Sequence, residues 1–219
     1  MTGAGRSPGL ASARAIVAVR WILGVQCLLS GLNWWFKILP FPNIAEPVVG
    51  PMKHQIVATM IETGWMFSAA KLIEIGIGVA LLTNRFAVLM LVVAFPILLM
   101  TFVLDLIPFG AAIAGALAGE VTNRNLWAAF LDMIFFGGAV FLMQAYLMLE
   151  YFDDYRRLFV VRPGDAAAPG VFDHSCPATM RAIRWGAILI GGASTLWMLA
   201  MVGQWLVPWS SLAILAPLR

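Results

Sequence analysis

The sequence has few charged residues for its length. Asp, Glu, Lys and Arg together make up 11% of the 219 residues, hydrophobic residues make up 62%, and the mean hydropathy is +0.90. A soluble domain of this size cannot bury that much apolar surface. We therefore expect an integral membrane protein. Because the apolar runs are long and do not alternate with polar residues, membrane-spanning helices are favoured over a barrel.

Side chains that could hold a metal or a redox group are also scarce. The chain has two histidines, and the predicted topology puts His54 and His174 on opposite sides of the membrane, where they cannot share a metal or a haem. Cys27 and Cys176 form no CxxC motif, which argues against a disulfide framework or a redox dithiol. Gly-rich phosphate loops and nucleophile elbows are missing as well. We expect no metal site and no intrinsic cofactor.

Five segments are long enough to cross about 30 Å of hydrocarbon as helices. They are Ala15–Leu39, Gly64–Leu82, Phe86–Ile107, Trp127–Leu149 and Trp185–Val207. The predicted fold class is all-α, a membrane helical bundle. Between the spans we expect an irregular, proline-containing loop at Pro40–Thr63, and a short interfacial or re-entrant helix at Gly110–Glu120.

The basic residues are distributed unevenly between the two sides of these spans. Four basic residues lie on the side that includes the C-terminus, nine lie on the side that includes the N-terminus, and Lys71 lies inside a span. By the positive-inside rule the N-terminus is then cytoplasmic and the C-terminus is outside. The net charge of +3 is small and follows this topology, so nucleic acid is not an expected partner. The nine on the N-terminal side are Arg6, Arg14, Arg20, Arg85, Arg156, Arg157, Arg162, Arg181 and Arg184.

A row of polar side chains runs through the first span. Gln26, Ser30, Asn33 and Lys37 recur at steps of four, three and four, so a helix places them on one side. Polar groups are costly at membrane depth unless they meet one another or water. We expect this row to face the inside of the bundle.

Ionisable residues occur in three further spans. Lys71 and Glu74 are three residues apart and share a helix face, while Asp105 and Asp132 lie in the next two spans. We predict an outward-opening polar pocket in which Lys71 neutralises Glu74 or Asp132, with Glu74 as the best single candidate for a functional carboxylate. The alternative is that these groups only hold the helices together. The predicted ligand-binding residues are Gln26, Asn33, Lys37, Lys71, Glu74, Asp105 and Asp132.

The fifth span carries small residues at a spacing of four. Ala187, Gly191 and Thr195 form a ridge that would let another helix approach closely. This ridge either packs on the chain's own bundle or forms an interface with a partner subunit.

The chain from about Arg20 to Phe159 resembles the DoxX-like family of small bacterial integral membrane proteins. The resemblance rests on Arg20-Trp-Ile-Leu-Gly24 with Gly31, and on the stretch from Lys71 through Glu74 and Gly78 to Arg85. It implies a four-helix bundle over residues 1–160 in a bacterial inner membrane, and a link to membrane oxidoreductases such as those of thiosulfate:quinone oxidation. A cytoplasmic linker at 161–184 and an additional transmembrane helix within 185–219 lie outside the family pattern.

Two functions are compatible with these observations. The first is an accessory or anchor subunit, without its own cofactor, of a larger membrane redox or energy-converting complex. Its partners would be other membrane subunits and lipid. The second is a quinone-reactive or small-molecule-binding component that uses the polar pocket around Glu74. In that case a quinone or a lipid would be the bound molecule. Whether the chain is itself an enzyme is left open by the sequence.

Overall fold

The computed structural model describes residues 10–38, 51–152, 154–155 and 177–206. This part of the chain folds into six helices without a strand. The predicted span ends Leu39 and Val207, loop residues 40–50 and linker residues 161–176 lie outside it. The helices are α1 (Leu10–Phe36), α2 (Pro51–Glu62), α3 (Met66–Thr83), α4 (Ala87–Leu117), α5 (Asn123–Met133, a π-helical turn at Ile134–Gly138, then Ala139–Glu150) and α6 (Pro177–Leu206).

Five of the six described helices are long and apolar enough to cross a membrane, so the chain is a multi-pass integral membrane protein with an all-α fold. The exception is α2, which has only 12 residues. The candidate spans are Ala13–Phe36, Met66–Thr83, Ala87–Leu117, Asn123–Glu150 and Ala178–Ala200.

Three connections differ from the prediction. Residues 51–62, expected to be irregular, form α2; its first residue is Pro51, and proline is well tolerated at that position because its missing N–H would have no helical partner. Residues 110–117 continue α4 instead of forming a separate helix, because an alanine-rich run extends a helix readily. α6 begins at Pro177, so the last part of the predicted linker is helical.

The closest helix packing in the bundle is between α1 and α3. A Cβ added at Gly78 would lie 2.8 Å from the backbone nitrogen of Leu28, and one at Gly31 would lie 2.9 Å from the carbonyl oxygen of Lys71. Such distances leave no room for a side chain, so the two backbones touch only because glycine stands at both positions. These glycines belong to the motifs on which the family resemblance rests.

The two ends of the bundle differ in how tightly they are filled. At one end, here the Asn84 end, α3 and α4 join through a tight turn in which Asn84 and Phe86 have positive φ, and Arg20 donates a hydrogen bond to the Asn84 side chain. Buried side chains close the interior there; they include Leu23, Ile77, Leu81, Leu91, Met143 and Leu147. At the opposite end, here the α2 end, α2 packs against α3 and α4, and the interior is not filled.

Candidate functional site: a cavity at the α2 end

A cavity of about 710 Å³ lies between the helices of the α2 half. Ligand-binding pockets in proteins commonly have volumes of about 300–1,000 Å³. All six helices contribute to the wall, which is mostly apolar. The side chains used in the argument below are Gln26, Cys27, Ser30 and Asn33 of α1, Lys53 of α2, Phe67, Ala70, Lys71 and Glu74 of α3, Pro96, Leu98, Met100, Thr101 and Asp105 of α4, Val140 of α5, and Ser194 and Trp197 of α6.

The first of two charged groups on this wall is the Lys71 cluster, made of Ser30, Lys71 and Glu74. The Lys71 ammonium donates to both carboxylate oxygens of Glu74 at 2.9 and 2.8 Å and to the hydroxyl of Ser30 at 3.0 Å. It also lies 5.3 Å from the centre of the Phe67 ring. The three protons of the ammonium thus have three acceptors, and the cluster is electrically neutral. Of the two partners predicted for Lys71, Glu74 is the one it meets.

The second group is the Lys53 cluster, made of Lys53, Asp105 and Asp132. The Lys53 ammonium lies 2.6 Å from Asp105 Oδ1 and 3.1 Å from Asp132 Oδ2, and all three side chains are largely buried. Burial alone would lower the pKa of Lys53, but the two neighbouring carboxylates outweigh burial and raise it above its ordinary value of 10.5.

The π-helical turn of α5 forms hydrogen bonds to the Asp105 carboxylate of α4 and to helix α6. The backbone N–H of Gly137 donates to Asp105 Oδ2 at 2.8 Å, and the carbonyl of Phe135 accepts a hydrogen bond from the Ser194 hydroxyl. A π turn widens the helix and exposes backbone groups that a regular α-helix would pair internally. Here two of these exposed backbone groups form hydrogen bonds, one with Asp105 of α4 and one with Ser194 of α6. A Cβ at Gly137 would collide with Asp105 and with the backbone of Phe102, so only glycine fits this contact.

One of the two prolines inside α4, Pro96, is accommodated in a similar way. Pro96 cannot donate a backbone hydrogen bond, and its ring pushes the preceding turn open. The Gln144 side chain donates to the carbonyl of Leu91 at 2.8 Å, next to this break. A side chain of α5 thus bonds a backbone carbonyl of α4 one residue before Val92, whose carbonyl loses its helical partner at Pro96.

The predicted polar row of α1 is only partly on the cavity wall. Gln26, Ser30 and Asn33 line the cavity, and Gln26 and Asn33 are buried. Lys37 does not line it: α1 ends at Phe36, Lys37 has φ 52°, and its ammonium lies over the Trp34 ring at 4.2 Å, on an exposed side chain. The end of the helix thus takes Lys37 out of the row that its spacing predicted. Of the other predicted residues, Lys71, Glu74 and Asp105 line the cavity, whereas Asp132 does not line it and contacts Lys53.

The small-residue ridge of α6 packs inside the chain. Ala187 is fully buried, Thr195 is buried and donates to its own helix at the carbonyl of Gly191, and a Cβ at Gly191 would collide with Met143 of α5. Of the two alternatives for this ridge, the structure favours packing on the chain's own bundle. The assignment of Ala187, Gly191 and Thr195 to a partner interface is corrected accordingly, because they have almost no surface left for another chain.

Two site residues were missed by sequence reasoning. Lys53 was assigned to an irregular outer loop, although a lone lysine followed by apolar residues at helical spacing (Val57 and Ile61) could have indicated a helix with one face on the bundle. Ser194 had no sequence signal, because its partners Gln26 and Phe135 are 168 and 59 residues away in the chain.

Three residues that line the cavity are also solvent-exposed and lie on candidate spans: Pro96 and Met100 on α4, and Trp197 on α6. No group of three or more His, Cys, Asp or Glu side chains able to hold a metal occurs within the described residues. A comparison with protein families, with curated proteins and with solved structures finds no match to this chain.

Proposed function

We propose that the protein binds a lipid-soluble molecule with a polar head, of the quinone or a similar amphipathic class, in the cavity at the α2 end. The observation that carries this proposal is the composition of the cavity wall. Apolar side chains such as Leu98 and Val140 form most of it, and two charged clusters stand at separate places on it. A few placed polar groups on an apolar wall are typical of sites for such ligands.

The position of the exposed lining residues supports the same class of ligand. Because Pro96, Met100 and Trp197 lie within candidate spans, a molecule dissolved in the bilayer can reach the cavity without passing through water. The likeness to the DoxX-like family also favours a quinone-class molecule over a water-soluble substrate. The accessory-subunit hypothesis stays a prediction that rests on this likeness, since the ridge on α6 gives it no support.

The proposal is tested by identifying what the purified protein retains. Protein extracted from its native membrane in mild detergent should carry a small amphipathic molecule that mass spectrometry detects after organic extraction. Ala70→Trp, which places an indole in the cavity, should abolish retention. The matched control is Leu72→Trp on the same helix, at a side chain that is 59% exposed. Protein without any bound molecule would contradict the proposal, and a stoichiometric partner carrying haem or flavin would favour the subunit hypothesis.

We further propose that the α2 end faces the outside of a bacterial inner membrane, as the distribution of basic residues predicts. The test uses Gln55→Cys, at an exposed position on α2, in a chain whose two native cysteines are replaced by serine. A membrane-impermeant maleimide should label this cysteine in intact cells. Labelling only after lysis would reverse the orientation without affecting the cavity proposal.

A further inference from the structure

The hydrogen bonds around Gln26 fix the orientation of its amide. Ser194 has one hydroxyl proton and donates it to the carbonyl of Phe135, so toward Gln26 it can only accept. Gln26 Nε2 is therefore the atom that faces Ser194. The other end of the amide, Oε1, is left as an acceptor that has no hydrogen-bond partner among the described residues. Gln26 is 2% exposed and lines the cavity, so this is a buried acceptor at the cavity wall.

Ser30 supplies the complementary group one turn along α1. Its oxygen accepts from Lys71 at 3.0 Å, and its own proton is engaged in no hydrogen bond within the described part of the chain. Gln26 and Ser30 both line the cavity and lie one turn of α1 apart, which is about 6 Å along the helix axis. A ligand oxygen placed between the two side chains would accept from Ser30 and donate to Gln26.

We propose that the cavity selects ligands that carry a hydroxyl group on an apolar ring or chain, with Gln26 Oε1 as the acceptor and Ser30 as the donor. The inference rests on the proposed function and names the ligand chemistry of that site. A hydroxyl satisfies both groups at once. A ketone oxygen or an ether oxygen uses only the Ser30 proton and leaves Gln26 Oε1 buried without a partner, which is costly in an apolar wall. A phenol or hydroquinone is thus preferred to the corresponding quinone or ether.

The test compares two lipid-soluble probes that differ only in this group, 4-octylphenol and 4-octylanisole. Co-elution of each probe with the full-length protein on gel filtration in detergent, quantified by mass spectrometry and compared with the Ala70→Trp variant, measures occupancy of the cavity. The full-length protein in detergent should bind the phenol at least about ten-fold more tightly than the methyl ether. Equal binding of the two probes would overturn this inference while leaving the proposed function standing. Binding of neither probe would overturn both.

Three variants test which residues produce the preference for the phenol over the ether. Gln26→Leu and Ser30→Ala should each reduce the phenol-to-ether ratio toward one, whereas Thr101→Val should leave it unchanged. Thr101 also lines the cavity, but its hydroxyl proton is already donated to the carbonyl of Ile97 at 3.0 Å. Circular dichroism and gel filtration report whether Gln26→Leu folds, and if it does not, the comparison of the two probes on the otherwise native chain still decides the inference. An unchanged ratio in folded Gln26→Leu would overturn the assignment to Gln26.

Discussion

The Lys71 cluster and the Lys53 cluster contain the same kinds of charged side chain but are assembled differently. Lys71 and Glu74 lie three residues apart on α3, with one carboxylate for one ammonium. Lys53 comes from α2, Asp105 from α4 and Asp132 from α5, with two carboxylates for one ammonium. Formation of α3 alone is enough to bring the first pair together, whereas the second exists only when three helices have docked.

This difference assigns distinct tasks to the two clusters. The Lys71 cluster places charge on the cavity wall at little cost, because both partners are present wherever the helix is. The Lys53 cluster joins a helix that does not span the membrane to two that do, and its lysine holds two buried carboxylates near each other. Removal of a residue from the Lys53 cluster should therefore affect the fold, and removal of a residue from the Lys71 cluster should affect mainly its own site.

Lys53→Met should have the largest effect of any substitution in either cluster. It removes the ammonium that lies within 3.1 Å of both buried carboxylates, and breaking a buried ion pair costs about 3–5 kcal/mol. The measurement is the free energy of unfolding in mixed detergent micelles, followed by circular dichroism as the denaturing detergent increases. Lys37→Met is the matched control, because Lys37 is exposed and the loss there should stay below about 1 kcal/mol.

The pH dependence of Lys53→Met gives an independent check. The folded-state pKa of Lys53 lies above its unfolded value, so its stabilisation is fully present below the unfolded value near 10.5 and is lost as the pH rises through the folded value. The native chain should therefore lose stability above about pH 10.5 by an increment that Lys53→Met lacks. Identical alkaline profiles of the two proteins would remove Lys53 from its assigned role.

Glu74→Gln should have a smaller effect, about 2–3 kcal/mol, because the amide can still accept one hydrogen bond from the Lys71 ammonium. The comparison becomes sharper with the double variant Lys71→Met, Glu74→Met. Since a neutral local pair can be replaced by apolar side chains of similar size at little cost, the double variant should be more stable than Glu74→Gln alone. A double variant less stable than Glu74→Gln would show that the pair itself stabilises the bundle. The same detergent titration measures the native chain and both variants.

The two clusters also mark how far the sequence could predict this molecule. The five spans followed from apolar length, and the three-residue spacing offered Glu74 as one of two predicted partners for Lys71, because both depend on local geometry. The Lys53 cluster did not follow, because its shortest sequence separation, from Asp105 to Asp132, is still a whole helix hairpin. Spacing within one helix carries no information on which helix lies opposite.

The π turn of α5 marks a second limit of sequence reasoning. The adjacent glycines Gly137 and Gly138 indicate a weak point in an apolar helix, but they do not specify a π turn that directs the Gly137 N–H toward Asp105. Lys37 failed for the opposite reason: its spacing continued the polar row, but the helix ended one residue before it. Helix ends and π turns are set by competition among backbone hydrogen bonds, which a periodicity of side chains does not report.

Gly137→Ala tests the support of Asp105 by the π turn separately from its ion pair with Lys53. The added methyl would collide with Asp105 and with the Phe102 backbone, so we expect a loss of about 1–3 kcal/mol from overpacking. Gly192→Ala on α6 is the control: no atom lies within 4 Å of the added Cβ, and alanine favours a helix, so stability should hold or rise. If Gly137→Ala is no less stable than Gly192→Ala, the π turn does not hold Asp105 in the way its geometry indicates.

Ser30→Ala should reduce the free energy of unfolding least among these predictions, by about 1 kcal/mol. The Lys71 ammonium loses the Ser30 hydroxyl but keeps its hydrogen bonds to both oxygens of Glu74. Combined with Glu74→Gln, however, Ser30→Ala should cost more than it does alone, since the ammonium then depends on fewer acceptors. The measurement is a double-mutant cycle in the same detergent titration, with a coupling of about 0.5–3 kcal/mol expected. In the Lys53→Met background the cost of Ser30→Ala should be unchanged, because the two clusters share no hydrogen bond among the described residues. Coupling between Ser30 and Lys53 would mean that the two clusters act as one network.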